Sequence, residues 1–298
     1  PTNVGTADLG QVPEELRSFY TQEPRWSGCG GDYECATVTV PLDYAKPADR
    51  SIELAVIRLA AGSDDERLGS LLINPGGPGA SGIDYARSAR AVLSDNLLRH
   101  YDIIGFDPRG VAESAPVTCI DDAQMDQFIA IDGSPDDPAE IKDLDDESKE
   151  FAAGCETNSG ELLPYVSTED AARDMDVIRA VVGDEKLNYL GKSYGTLLGA
   201  TYAGLFPQRV GRLVLDGAID PRVSGEEMSL AQAEGFEQAL TAFMDDCVQQ
   251  SDCPVGPSTQ EGLDQIGSLL DSVDRTPLPS SSGREVTQSL AILGIATA

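Results

Sequence analysis

Leu187-Asn188-Tyr189-Leu190-Gly191-Lys192-Ser193-Tyr194-Gly195-Thr196 is the most informative stretch of the chain. Leu187–Leu190 has the length and apolarity of a short buried strand. It runs into Gly191-Lys192-Ser193-Tyr194-Gly195, and a helical run then extends to Phe206, with Pro207 just past its end. These five residues match G-x-S-x-G between a strand and a helix. Such a turn is tight enough for side chains at its two flanking positions to strike neighbouring backbone, which explains a glycine at each. It lifts the serine hydroxyl to a helix N-terminus, where the next backbone N–H can face a developing oxyanion. A serine hydroxyl is a poor nucleophile and needs both a base and oxyanion donors. G-x-S-x-G arises often by chance. Its setting here makes Ser193 the candidate nucleophile and the Tyr194 N–H a candidate donor.

Upstream, Gly69–Asn74 reads as another buried strand and empties into Pro75-Gly76-Gly77-Pro78-Gly79. Glycine-rich backbone lets an N–H approach a substrate oxygen without a side chain intervening, so Gly77 is the candidate second donor. A helix is expected over Asp84–Leu98, then a strand over Tyr101–Phe106 ending in Asp107-Pro108-Arg109-Gly110. Ala36–Leu42 and Ile52–Leu59 alternate as a hairpin. Ser167 caps a helix with Ala171, Met175, Ile178 and Val182 on one apolar face, stopped by Gly183. Val210–Leu215 is the next strand, ending in Asp216-Gly217. Apolar strands thus alternate with helices from 69 to 216, the pattern of a mostly parallel sheet covered on both faces. Between about 115 and 165 the pattern weakens, and the acidic run Asp132–Glu150 reads as a surface excursion.

After Pro221 only helical patterns are expected. Ser224 and Glu227 form a capping-box pair, and Phe236, Leu240, Phe243 and Cys247 share a face. A Pro/Ser/Gly break interrupts the segment at Pro277–Gly283. The expectation is an α/β-hydrolase fold, with residues 1–221 as the N-terminal part of the core and 222–298 as the first part of a helical cap.

The order Ser, acid, His is expected in such a fold, yet the single histidine, His100, precedes Ser193 and sits before a strand. That places it at the wrong end of the sheet, as a surface or helix-end histidine. Asp216 follows the strand where a few hydrolases place the acid, but a structural role at the junction with the cap competes. About six strands are expected where the fold normally has eight, and Val210–Leu215 would leave an open edge. The acid, the base and the last strands are therefore expected outside this chain.

The 298 residues carry a formal net charge of −30, which disfavours nucleic acid and anionic membrane surfaces as partners. No apolar run approaches the roughly 20 residues that span a bilayer. Six cysteines fall in close pairs, Cys29/Cys35, Cys119/Cys155 and Cys247/Cys253, which suggests disulfides and an oxidising compartment. No CxxC spacing supports zinc, and neither a metal nor a cofactor is expected. The sequence starts at Pro1, without Met; removal of an export signal or a boundary inside a longer chain would each account for it.

Five spaced motifs carry a resemblance. Cys35-Ala-Thr-Val-Thr-Val-Pro-Leu-Asp-Tyr-Ala45, Asn74-Pro-Gly-Gly-Pro-Gly-Ala-Ser-Gly82, Asp102-Ile-Ile-Gly-Phe-Asp-Pro-Arg-Gly110, Asn188-Tyr-Leu-Gly-Lys-Ser-Tyr-Gly-Thr196 and Leu213-Val-Leu-Asp-Gly217 resemble the secreted tripeptidyl aminopeptidases, relatives of proline iminopeptidase. The resemblance implies a secreted, disulfide-bonded bacterial exopeptidase acting on peptides through a Ser-Asp-His triad. It carries Ser193 over as nucleophile and the N–H groups of Tyr194 and Gly77 as oxyanion hole. The triad Asp and His would come from a companion C-terminal chain or segment. An aminopeptidase must also hold an α-ammonium group, for which Glu226, Glu227, Glu234 and Glu237 on the expected cap helix are candidates. An esterase or lipase on the same scaffold, or an inactive binding relative, are the competing readings.

Overall fold

In the computed structural model of the chain, residues 12–281 and 283–297 are described. The lead-in 1–11, Ser282 in the expected break and Ala298 at the end of the expected cap lie outside the described residues. Nine strands are seen among the described residues: β1 Ser27–Gly28, β2 Tyr33–Pro41, β3 Ser51–Leu59, β4 Gly69–Asn74, β5 Tyr101–Phe106, β6 Leu187–Lys192, β7 Val210–Asp216, β8 Leu278–Pro279 and β9 Glu285–Val286. The helices are α1 Arg17–Tyr20, α2 Gly82–Arg87, α3 Ala89–Val92, α4 Asp95–His100, α5 Asp122–Phe128, α6 Pro138–Ser159, α7 Thr168–Val181, α8 Tyr194–Leu205, α9 Gly225–Cys247, α10 Thr259–Arg275 and α11 Gln288–Thr297.

The main sheet runs β1-β2-β3-β5-β4-β6-β7. β1, β2 and β3 are antiparallel, and β5, β4, β6 and β7 are mutually parallel. The expected parallel sheet is therefore present, with one more strand than the sequence pattern showed, because the two-residue β1 carries no periodic signal. β4 and β5 are buried along their whole length, as strands covered on both faces must be.

One face of the sheet packs Val38, Leu54, Leu72, Ile104 and Tyr189 against α7 and α8 through Met175, Ile178, Leu198 and Tyr202. The other packs Ile57, Ile73 and Ile103 against α2 and α3 through Ile83, Ala86 and Ala89. α2 can lie so close because it crosses β5 at two glycines. A Cβ on Gly82 would stand 2.0 Å from the Phe106 carbonyl oxygen, and one on Gly105 would stand 2.3 Å from that of Gly82. The helix expected over 84–98 is instead three short ones, α2, α3 and α4, broken at Ser88 and at the extended Leu93 and Ser94. Ser94 starts α4 by accepting the Leu97 N–H.

α7 places two buried carboxylates in the core. Asp176 accepts from the Tyr20 hydroxyl at 2.8 Å, the Tyr202 hydroxyl at 3.0 Å and Arg179 Nε at 2.8 Å, and also pairs with Arg209. Burial, then the Asp176 charge, push both phenols above their ordinary range. The unfolded phenols ionise near pH 10, below the folded ones. Their contribution to stability is thus intact below about pH 10 and is lost as pH rises further. Thermal melts between pH 9 and 11 should fall steeply, and less steeply in a Tyr20→Phe, Tyr202→Phe variant; equal slopes would refute this assignment.

The chain divides into two compact units. The first comprises the residues up to Val117 with Ser159–Pro221, and the second Thr118–Asn158 with the residues from Arg222 on. Residues 118–158 thus belong with the C-terminal part, whereas the sequence pattern grouped them with 1–221. The expected surface excursion is helical, since α5 and the 22-residue α6 occupy it and neither has a buried residue. α6 buries none of its residues, which erased the periodicity. It is supported by Lys142–Asp146 and Lys149–Asp145 ion pairs one turn apart and by Phe128 stacked on Phe151 at 4.6 Å.

Within the second unit, Cys119–Cys155 and Cys247–Cys253 are bonded, as Cys29–Cys35 is in the first. α9 has the expected capping box at Ser224 and Glu227. Its expected apolar face is not a packing face, however: Phe236 and Phe243 are exposed, and Met244 is the buried residue, meeting Gly262 of α10. The Pro/Ser/Gly break holds the small β8–β9 hairpin, so the segment is not helical throughout. No helix among the described residues is long and apolar enough to cross a membrane.

Candidate active site

Ser193 stands between the end of β6 and the start of α8, exposed, at φ 51° and ψ −124°. A β-carbon-bearing residue rarely holds a positive φ, and doing so stores strain. The surroundings impose it. The Ser193 N–H donates to the Asp216 carbonyl at 3.0 Å, tying the turn to the end of β7. The Ser193 carbonyl accepts from the Thr196 N–H at 2.8 Å and from the Thr196 hydroxyl at 2.7 Å. The flanking glycines are sterically required: a Cβ on Gly191 would stand 2.3 Å from the Gly195 carbonyl oxygen, and one on Gly195 would stand 2.8 Å from Asn74 Oδ1.

The glycine-rich loop after β4 leans on this turn. A Cβ on Gly76 would lie 2.5 Å from the Lys192 carbonyl oxygen and 3.1 Å from the Tyr194 nitrogen. Asn74, buried at the end of β4, accepts the Gly76 N–H at 2.9 Å. That bond commits Gly76 and leaves the N–H groups of Gly77 and Tyr194 without a partner among the described residues. Gly77 is exposed at φ 112°. The Tyr194 ring is anchored separately, its hydroxyl 2.8 Å from that of Thr168 in the first turn of α7. The Lys192 ammonium lies 5.9 Å from the centre of the Tyr85 ring on α2.

Asp216 enters this arrangement through its backbone carbonyl, a structural role, and its residue is exposed. His100 closes α4 immediately before β5, its Nδ1 2.7 Å from the Asn96 carbonyl oxygen. It is at the end of the parallel strands opposite Ser193, a separation of six residues at about 3.3 Å each. Glu226, Glu227, Glu234 and Glu237 are all exposed on α9. Glu227 is occupied in the capping box, accepting from the Ser224 N–H at 2.8 Å and its hydroxyl at 3.0 Å, and these bonds hold its carboxyl below the usual range.

Asn74, Thr168 and Thr196 brace the turn and were not singled out in the sequence. Only Asn74 carried a signal there, as a polar residue closing the apolar run Leu71–Ile73. Among the described residues, one acidic cluster, Asp132, Glu140 and Asp274, brings carboxylate oxygens within 4.8 Å of each other. Glu140 is already engaged there by the N–H groups of Asp136 and Asp137.

A strand–serine–helix turn facing a glycine-rich loop, on a mostly parallel sheet, fits a family signature described as alpha/beta hydrolase fold, which matches residues 69–292. The chain belongs to the α/β-hydrolase family. The chain is 41% identical over 268 residues to Serine protease Hip1 of Mycobacterium tuberculosis, covering 88% of this chain and 50% of that protein. It is 45% identical over 205 residues to Tripeptidyl aminopeptidase of Streptomyces coelicolor, covering 66% and 38%. It is also 39% identical over 263 residues to Carboxylesterase B of Mycobacterium tuberculosis, covering 87% and 50%. The chain thus spans about half the length, or less, of these curated relatives. The relatives bear the peptidase names that the five motifs implied, and an esterase name beside them.

Proposed function

We propose that this chain supplies the nucleophile and oxyanion hole of a secreted serine exopeptidase, which releases short peptides, tripeptides foremost, from free N-termini. The observation that carries the reading is the exposed Ser193 hydroxyl, held at a strained turn beside two unpartnered N–H groups, Tyr194 and Gly77. Ser193 Oγ attacks the scissile carbonyl, and the carbonyl oxygen becomes an oxyanion received by those N–H groups. Collapse expels the amine of the downstream peptide and leaves an acyl-enzyme on Ser193, which water hydrolyses.

The base is not His100. A companion C-terminal segment supplies the histidine, the acid and further strands. Support comes from the relatives' greater length and from β7, which ends the sheet order with Val214 57% exposed. Three disulfides support an oxidising, extracellular setting. Glu226, Glu234 and Glu237 are the acids still available for the substrate ammonium, Glu227 being engaged by Ser224.

The esterase reading is favoured by the carboxylesterase relative. Assay of the protein isolated from its producing host separates the two. Tripeptidyl anilides with a free amine should be turned over, N-acylated ones about a hundredfold less well. Glu226→Gln, Glu234→Gln and Glu237→Gln, made together, should reduce peptide turnover and spare short nitrophenyl esters. Ester turnover with no anilide turnover would overturn the peptidase reading; unchanged peptide turnover in the Gln variant would remove the three acids.

A further inference from the structure

Thr196 is 1% exposed, three residues after the nucleophile, and no part of the G-x-S-x-G pattern. Its hydroxyl has a single proton, which it gives to the Ser193 carbonyl at 2.7 Å. The same oxygen accepts the Ile219 N–H at 2.9 Å. That acceptance holds the oxygen in place and leaves its proton for Ser193. The Thr196 backbone N–H reaches the same carbonyl at 2.8 Å.

The Ser193 carbonyl and the Tyr194 N–H are two edges of one peptide plane. The plane is rigid, and in the trans form its C=O and N–H point in opposite directions; the Ser193–Tyr194 bond is not among the cis bonds of the chain. Two donors on the carbonyl therefore fix the direction of the N–H on the far edge. The Ser193 N–H to Asp216 carbonyl bond and the Thr196 to Ile219 bond also tie the turn twice to the segment leaving β7.

We infer that Thr196 is a positioning residue: its hydroxyl aims the Tyr194 N–H at the oxyanion and couples that aim to the segment 216–219. This rests on the reading of Ser193 as the nucleophile. A misdirected donor weakens the transition state and leaves ground-state binding of the substrate nearly untouched, because the oxyanion exists only in the former.

The test uses the protein isolated from its producing host, with steady-state kinetics on whichever of the anilide and ester substrates it turns over and thermal melts alongside. Thr196→Val keeps the shape and removes the hydroxyl. Its kcat should fall roughly ten- to a hundredfold, with KM within about twofold. Thr196→Ser restores the hydroxyl and should recover kcat to within about threefold of the parent. A Val variant with parental kcat would overturn the inference, as would a Ser variant as impaired as Val, since restoring the hydroxyl would then not restore kcat. If Thr196→Val does not fold, Thr196→Ala is read by the same thresholds. Ser193→Ala is run in parallel: full turnover there removes the nucleophile reading itself, whereas its loss together with an unaffected Thr196→Val removes only this inference.

Discussion

Ser193→Ala should fold normally and lose about a millionfold in kcat, the scale found when a serine nucleophile is removed from a working triad. Labelling by a fluorophosphonate probe should vanish with it, and intact mass should show no adduct. The assignment fails if the variant keeps more than about a hundredth of parental turnover, a residue too large for oxyanion stabilisation and binding alone. The backbone adds a second arm to the experiment. At φ 51° and ψ −124° a Cβ is a liability that glycine does not share. Ser193→Gly should therefore be as inactive as Ser193→Ala yet more stable than the parent, by about 1 kcal/mol in chemical denaturation. Activity and stability would then oppose one another at a single residue, as expected where strain presents a reactive group.

Arg109→Met should strongly destabilise the first unit. Arg109 donates to both oxygens of Asp174, at 2.8 and 2.7 Å, and to the carbonyls of Pro41, Leu42 and Tyr165. The Tyr44 hydroxyl completes the set on Asp174 at 2.7 Å. Both charged side chains are almost wholly removed from solvent, at 1% and 0% exposure. Burial pushes the Asp174 carboxyl up, and Arg109 is what opposes that push. Removing the guanidinium strands a buried carboxylate, a loss of about 3–5 kcal/mol. Arg109→Lys should not rescue it, because one ammonium cannot reproduce a planar five-donor fork. Arg109→Met with Asp174→Leu should be less destabilised than Arg109→Met alone, since the orphaned charge is gone. A single variant within 1 kcal/mol of the parent, or a double variant no better than the single, would contradict this account.

The parallel sheet was legible because β4 and β5 are buried on both faces and β6 nearly so, and such strands appear as continuous apolar runs. The turn at Ser193 was legible because steric demand there leaves only glycine at two positions. α6 was not legible, because a helix that buries nothing has no reason to keep apolar residues in register. The division of α2, α3 and α4 was hidden because their combined apolar positions still approximate one helical period. The face of α9 misled for the opposite reason: Phe236 and Phe243 carry the right spacing and are exposed. The bracing by Asn74, Thr168 and Thr196 is made of single polar contacts between segments distant in sequence, which no local pattern encodes.

Until the companion strands proposed above cover it, the side of β7 that pairs with no strand among the described residues has a consequence for handling this chain. An unpaired strand edge beside an exposed Val214 is a template on which a second copy can extend the sheet. A net charge of −30 works against this by keeping copies apart. That repulsion reaches about 10 Å at 0.1 M salt and only about 3 Å at 1 M. The acidity therefore acts as a colloidal guard over an adhesive edge, and concentrated salt is the condition under which the guard is lifted.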